Sequence, residues 1–172
     1  MIDANVTAGP QNAAVIQDFA RSELFDRTFQ EGMELVEETA AYLDGAGRQE
    51  SKQLSRNAAL AYAAESMRLT TRLMQVASWL LVQRAVREGD MPPESACEER
   101  YRLGAEQVSD GGDLDDVDQL PVGLMTLLDR SERLYDRVRR LDRRMYVDIP
   151  VHDESHTVLA QFDRLRTAFG GL

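Results

Sequence analysis

Cysteine and lysine are almost missing from this sequence of 172 residues. Cys97 is the only cysteine, which excludes an intramolecular disulfide and a zinc site built from several cysteines. A lone cysteine is typical of a protein in a reducing compartment. Lysine and arginine total 20 and Lys52 is the only lysine, so arginine supplies almost all of the positive charge. Arginine pairs with carboxylates through two parallel hydrogen bonds and stacks on aromatic rings, which suits protein interfaces.

The sequence also lacks a long uncharged apolar run. The longest hydrophobic stretch, residues 58–86, is interrupted by charged side chains, whereas a membrane-spanning helix needs about 20 nearly uncharged residues. Residues 1–15 show neither the basic segment nor the apolar core of a secretory signal. We therefore expect no membrane partner and a cytoplasmic location.

The sequence has fewer basic than acidic residues. The net charge is -10 and the isoelectric point is about 4.7. A chain of this charge repels phosphate groups, which argues against binding to nucleic acid or to anionic membranes. The expected partners are proteins.

Strand-like alternation and internal repeats are absent, and the remaining periodicity is helical. Ser22 is predicted to cap the first long helix, and Gly45 and Gly47 to end it by supplying a positive φ. The prolines at positions 92 and 93 and at 121 separate the later helices. Long helices are predicted over residues 22–44, 57–88 and 121–146, and a short one over residues 93–106.

This pattern predicts an all-α fold, an antiparallel three-helix bundle with a short accessory helix and flexible N- and C-terminal segments. The predicted domains are a flexible arm over residues 1–20, whose end docks on the bundle, a bundle domain over 21–146 and a tail over 147–172.

The helix predicted over residues 57–88 is apolar around most of its circumference. Helices of this kind occupy the centre of a bundle. We expect its broad apolar arc to face the neighbouring helices. The arc consists of Leu60, Ala63, Ala64, Met67, Thr70, Met74, Ala77, Leu81 and Ala85, widened by Leu73 and Leu80.

A narrow polar seam runs along the same helix and contains the only tryptophan, Trp79. Because tryptophan and arginine anchor many interfaces, we interpret the seam as a candidate protein-binding patch. The alternative is that Trp79 is buried under the 93–106 helix or the N-terminal arm. The candidate patch consists of Arg68, Arg72, Gln75, Val76, Trp79 and Gln83.

A basic cluster, residues 137–144, lies near the C-terminal end of the last helix. The structural interpretation is a helix end stabilised by its dipole and by ion pairs. The functional interpretation is a secondary surface that docks an acidic partner through Arg137, Arg140 and Arg144.

Catalytic and metal-binding patterns are weak. His152 and His156 have the i, i+4 spacing of a metal pair, but Pro150 makes a helix there doubtful. The acidic segment around Asp115 lacks the ordered ligands of a calcium loop. Nothing near Cys97 in sequence would lower the pKa of its thiol. We therefore expect no enzyme activity, no metal and no cofactor.

Two segments give the sequence its family resemblance. The run ESMRLTTRLMQVASWLLVQRAVREGDM, with FQEGMELVEETAAYLDG upstream, resembles the bacterial family of the regulator of CtrA degradation, RcdA. The resemblance covers about residues 20–146, and SMRLTTRLMQ and ASWLL are its most specific words. It implies an antiparallel three-helix bundle that forms homodimers.

The resemblance further implies a non-enzymatic adaptor in cell-cycle-regulated proteolysis. Such an adaptor delivers CtrA and other cargo to the ClpXP protease, together with the response regulator CpdR and the effector PopA. The alternative is a helical dimeric scaffold or protein-binding module without a proteolytic role.

Overall fold

The computed structural model describes residues 10–104 and 119–146, and all regular elements in these ranges are helical. The all-α prediction is therefore confirmed. The helices are α1 (Pro10–Ala20), α2 (Glu23–Asp44), α3 (Ala46–Ser51), α4 (Arg56–Glu88), α5 (Pro93–Ala96) and α6 (Val122–Tyr146), with a 3₁₀ turn at Glu99–Tyr101.

Local capping sets the ends of the long helices. The Ser22 hydroxyl accepts a hydrogen bond from the Phe25 amide, as predicted, and Ser55 caps α4 in the same way. Gly89 ends α4 in the left-handed region with φ 81°. The prediction of a positive φ at Gly45 and Gly47 is wrong, because Gly89 is the only described residue with a positive φ.

Gly47 is needed for close packing instead. A Cβ atom at this position would lie 2.6 Å from the ring of Tyr42 and 2.6 Å from the hydroxyl of Tyr62. The α2–α3 junction therefore has a small residue because two tyrosine side chains occupy the space beside it.

The three long helices form the bundle. Helix α2 is antiparallel to α4, since Asp26 pairs with Arg87 near one end and Gly32 meets Leu80 further along. Helices α4 and α6 run in the same direction, because Arg72 bonds to Ser131 and Trp79 bonds to Asp142. The antiparallel arrangement thus holds for α2 with α4 and for α2 with α6, since Glu31 pairs with Arg137 and Glu38 with Arg130.

Helix α1 lies within residues 1–20, which the sequence predicted to be a flexible arm. Ile16 and Ala20 are fully buried and Ala13 nearly so, a helical spacing that packs α1 onto α4, α5 and α6. Residues 10–20 therefore contribute to the core. The short side chains in this segment gave a weak periodic signal.

The accessory helix is shorter than predicted. The structure has one α-helical turn at Pro93–Ala96 and one 3₁₀ turn at Glu99–Tyr101 in place of a helix over residues 93–106. Side chains of α6 bond to the backbone here, since the Tyr146 hydroxyl donates to the Ala96 carbonyl and Asp142 accepts from the Leu103 amide. These tertiary bonds replace the ladder of a continuous helix.

Candidate functional site

The polar seam of α4 faces the interior of the bundle. Trp79 and Val76 are each 1% exposed, and Gln83 is fully buried. Arg72 is also buried, while Arg68 and Gln75 are partly covered. The interpretation of the seam as an exposed contact patch is therefore wrong, and the alternative of a buried Trp79 is confirmed.

Two segments cover the indole of Trp79. The ring of Phe19 on α1 lies 5.7 Å away between centroids, and the indole nitrogen donates a 3.0 Å hydrogen bond to Asp142 on α6. Trp79 is thus both apolar packing and a satisfied donor, which is the usual state of a buried tryptophan.

Asp142 is the buried acceptor at this point, with 3% of its surface exposed. Besides the indole of Trp79 it accepts from the Leu103 amide at 3.1 Å and from the Arg102 guanidinium at 3.0 Å. Three donors satisfy the buried carboxylate, as burial of a charge requires. The cluster ties α4, α6 and residues 102–103 together.

Arg72 has partners inside the bundle as well. Its guanidinium donates to the Ser131 hydroxyl at 2.9 Å and contacts the Leu128 carbonyl at 3.4 Å. A guanidinium held in this way is a structural link between α4 and α6 and is not available to a partner protein.

The apolar arc of α4 was expected in the core, and this is confirmed for Leu73 and Leu80, but much of the arc is on the surface. Leu60, Met67, Met74 and Leu81 are 61%, 71%, 65% and 50% exposed. They recur every seven residues, which places them along one side of the helix over about 32 Å. Side chains of the polar seam bond to α6, so the opposite side of α4 faces solvent.

This surface has no charge. Every exposed residue of α4 between Asn57 and Gln83 is uncharged. A surface helix normally shows charged side chains to water, so a face of this length is typical of a contact surface. We define the α4 outer face as Leu60, Ala63, Ala64, Met67, Thr70, Thr71, Met74, Ser78 and Leu81.

The centre of the outer face is a shallow dip lined by Ser66, Met67, Thr70 and Thr71. Small side chains lie here between the methionines, and they allow another helix to approach closely. The sequence signal that could have identified this surface is the seven-residue spacing of Leu and Met.

The basic cluster of α6 divides into two parts. Arg137 forms two hydrogen bonds with Glu31 of α2, so its guanidinium is occupied within the bundle. Arg140 and Arg144 are exposed, as is Arg143 beside them. The structure therefore separates Arg137 from the other two residues of the predicted acidic-partner surface.

No other site emerges in the described ranges. Residues 10–104 and 119–146 contain no group of three or more His, Cys, Asp and Glu side chains that could hold a metal ion. His152, His156 and Asp115 lie outside the described residues. Cys97 is buried, and burial, with the nearby Glu94 charge, raises the pKa of its thiol.

Membrane insertion has no candidate helix in these ranges either. None of the described helices combines the length and the apolar character needed to cross a bilayer.

Comparisons with known proteins identify the family. The sequence family described as "Protein of unknown function (DUF1465)" matches residues 16–169. A search of curated proteins found no match. Among solved structures, RcdA from Caulobacter crescentus CB15 is similar, with 73% identity, 77% of this chain and 98% of that chain covered, and a TM-score of 0.63. This chain therefore belongs to the DUF1465 family, and its resemblance to RcdA is confirmed.

Proposed function

We propose that this chain is a non-enzymatic adaptor that helps to deliver cell-cycle regulatory proteins, such as CtrA-like cargo, to the ClpXP protease. The observation that carries the proposal is the 73% identity with RcdA over 98% of that protein's chain. The expected partners are ClpXP, a CpdR-like response regulator and a PopA-like effector.

The physical basis of such a role is tethering. An adaptor that holds cargo beside an unfoldase raises the local concentration of cargo without any chemistry of its own. Such a role requires surfaces that bind other protein chains, a second copy of the adaptor included, and the α4 outer face is an apolar surface of that kind.

The occupant that we propose for the α4 outer face is a second copy of the chain. The midpoint between Leu60 and Leu81 coincides with the midpoint between Met67 and Met74, so a twofold axis near Thr70 would pair like surfaces. Antiparallel α4 helices would then place each leucine opposite the other leucine and each methionine opposite the other methionine. Such an isologous contact is the commonest way to build a homodimer.

Reconstituted proteolysis tests the adaptor role. We expect purified CtrA to be degraded faster by ClpXP, with CpdR and PopA present, when this chain is added. If the wild-type chain accelerates degradation of no cargo, the adaptor role is excluded, and a dimeric scaffold without a proteolytic role remains.

Charge placed on the α4 outer face tests the dimer. We expect Met67→Glu with Met74→Glu to yield a monomer by light scattering, because the contact would bury two carboxylates from each copy. The matched control is Val122→Glu with Met125→Glu, which adds the same charge at exposed apolar positions of α6. An unchanged mass of the α4 variant would refute this interface.

A further inference from the structure

The last two turns of α6 contain an unusual group of arginines. Four other arginines of α6, which lie before this group or next to it, form ion pairs with nearby carboxylates. The pairs are Arg130 with Glu38, Arg133 with Asp129, Arg137 with Glu31 and Arg139 with Asp136. Arg140, Arg143 and Arg144 form no ion pair within the described ranges, and all three are exposed.

Charge composition makes this arrangement unexpected. Acidic side chains outnumber basic ones by 30 to 20, so a surface arginine should readily find a carboxylate. The helix dipole stabilises a cation near the C-terminus by about 0.3–1 kcal/mol. This effect accounts for one or two of the arginines. Three adjacent guanidinium groups without a carboxylate repel one another, and the dipole term does not require them to be adjacent.

We propose that Arg140, Arg143 and Arg144 form a docking surface for a short acidic segment of a partner protein. Arg140 and Arg144 are one helical turn apart and so lie on the same side of α6, with Arg143 beside them. Guanidinium groups in this arrangement bind carboxylates through paired hydrogen bonds, which lysine cannot form. The surface is on a different helix from the α4 outer face, and the proposal does not depend on the role in proteolysis.

The charge of the rest of the molecule gives this surface its specificity. A chain with a net charge of -10 repels an acidic peptide from most of its surface, so attraction is strongest where several arginines are adjacent. A nucleic acid fits this surface less well, because its row of phosphates extends beyond the three arginines.

Fluorescence anisotropy with a short fluorescein-labelled oligoglutamate peptide tests the proposal at low ionic strength. We expect wild-type protein to bind this peptide, an oligoglutamine peptide to bind at least about tenfold more weakly, and added salt to weaken binding. Arg140→Glu with Arg144→Glu should weaken oligoglutamate binding by about tenfold or more.

The matched control is Arg48→Glu with Lys52→Glu, which makes the same charge change at two exposed residues at the other end of the bundle. This variant should bind within about twofold of wild type. Circular dichroism of both variants verifies that the helix content of the protein is unchanged. Replacement of all three arginines by lysine keeps the charge, and a loss of several-fold is expected because the paired hydrogen bonds are gone.

Three results would overturn the proposal. They are absence of oligoglutamate binding to wild type, equal losses in the two charge-reversal variants, and tighter binding of a single-stranded oligonucleotide of equal charge. The last result would assign the surface to nucleic acid.

Discussion

One carboxylate, Asp142, determines how the parts of the molecule meet. It accepts hydrogen bonds from the Trp79 indole, the Leu103 amide and the Arg102 guanidinium. These donors come from α4 and from the segment between α5 and α6. A residue that sequence inspection assigns to a charged helix end is therefore the centre of a buried network.

Replacement of Asp142 by alanine should destabilise the protein strongly. The Trp79 indole and the Leu103 amide would remain buried without an acceptor, and each orphaned donor costs about 1–3 kcal/mol. We expect the free energy of unfolding, measured with urea at fixed protein concentration, to fall by about 2–4 kcal/mol. Asp142→Asn keeps one acceptor oxygen and should fall between alanine and wild type.

Asp136→Ala is the control for this substitution. Asp136 lies two turns earlier on the same helix and pairs with Arg139 at the surface, where such pairs contribute little. Its effect should stay within about 0.5 kcal/mol. Equal unfolding midpoints for Asp142→Ala and Asp136→Ala would show that the network contributes no stability.

At the scale of elements, periodicity predicted the long helices well and the orientation of α4 badly. Ser22 and the Gly89 stop are local signals, so the helix boundaries could be read from sequence. Helix α4 is apolar on both sides, and its inward side is set by Ser131 and Asp142, residues about 60 positions away in sequence. No local pattern contains that information.

The same reasoning explains the errors in the candidate sites. Trp79 was placed among polar neighbours on an exposed seam, but Arg72 and Trp79 bond to α6 inside the bundle and Gln83 is fully buried. The accessibility of Arg140 and Arg144 is the one feature of these sites that local sequence could predict. A helix C-terminus favours exposed cations independently of the packing of the rest of the helix.

Helix α2 packs closely against α4 at Gly32. A Cβ atom here would lie 2.7 Å from Cδ1 of Leu80, which is fully buried. Overpacking costs about 1–3 kcal/mol, whereas alanine gains up to about 1 kcal/mol of helix propensity over glycine. We expect Gly32→Ala to lower the free energy of unfolding by about 1 kcal/mol.

A double-mutant cycle separates these two effects. In a Leu80→Ala background the clash is absent, so Gly32→Ala should become stabilising through helix propensity alone. If Gly32→Ala is stabilising in both backgrounds, the approach of α2 to α4 is looser than the structure shows.

At the scale of the whole molecule, stability should depend on protein concentration. If the α4 outer face is buried only in a dimer, mass action couples folding to association. We expect the thermal midpoint of wild type to rise with concentration, and the midpoint of Met67→Glu with Met74→Glu to stay constant. A concentration-independent wild-type midpoint would contradict the dimer proposed here.

The parallel course of α4 and α6 has a consequence for synthesis of the chain. Helices α2 and α4 are joined by a short connection, and they can pair as soon as both have left the ribosome. Helix α6 is made only after residues 89–121, and until then Trp79 has Phe19 of α1 beside it but lacks its hydrogen bond to Asp142. During that interval α4 presents apolar side chains in two opposite directions, so the nascent chain passes through its most aggregation-prone state before its last helix is complete.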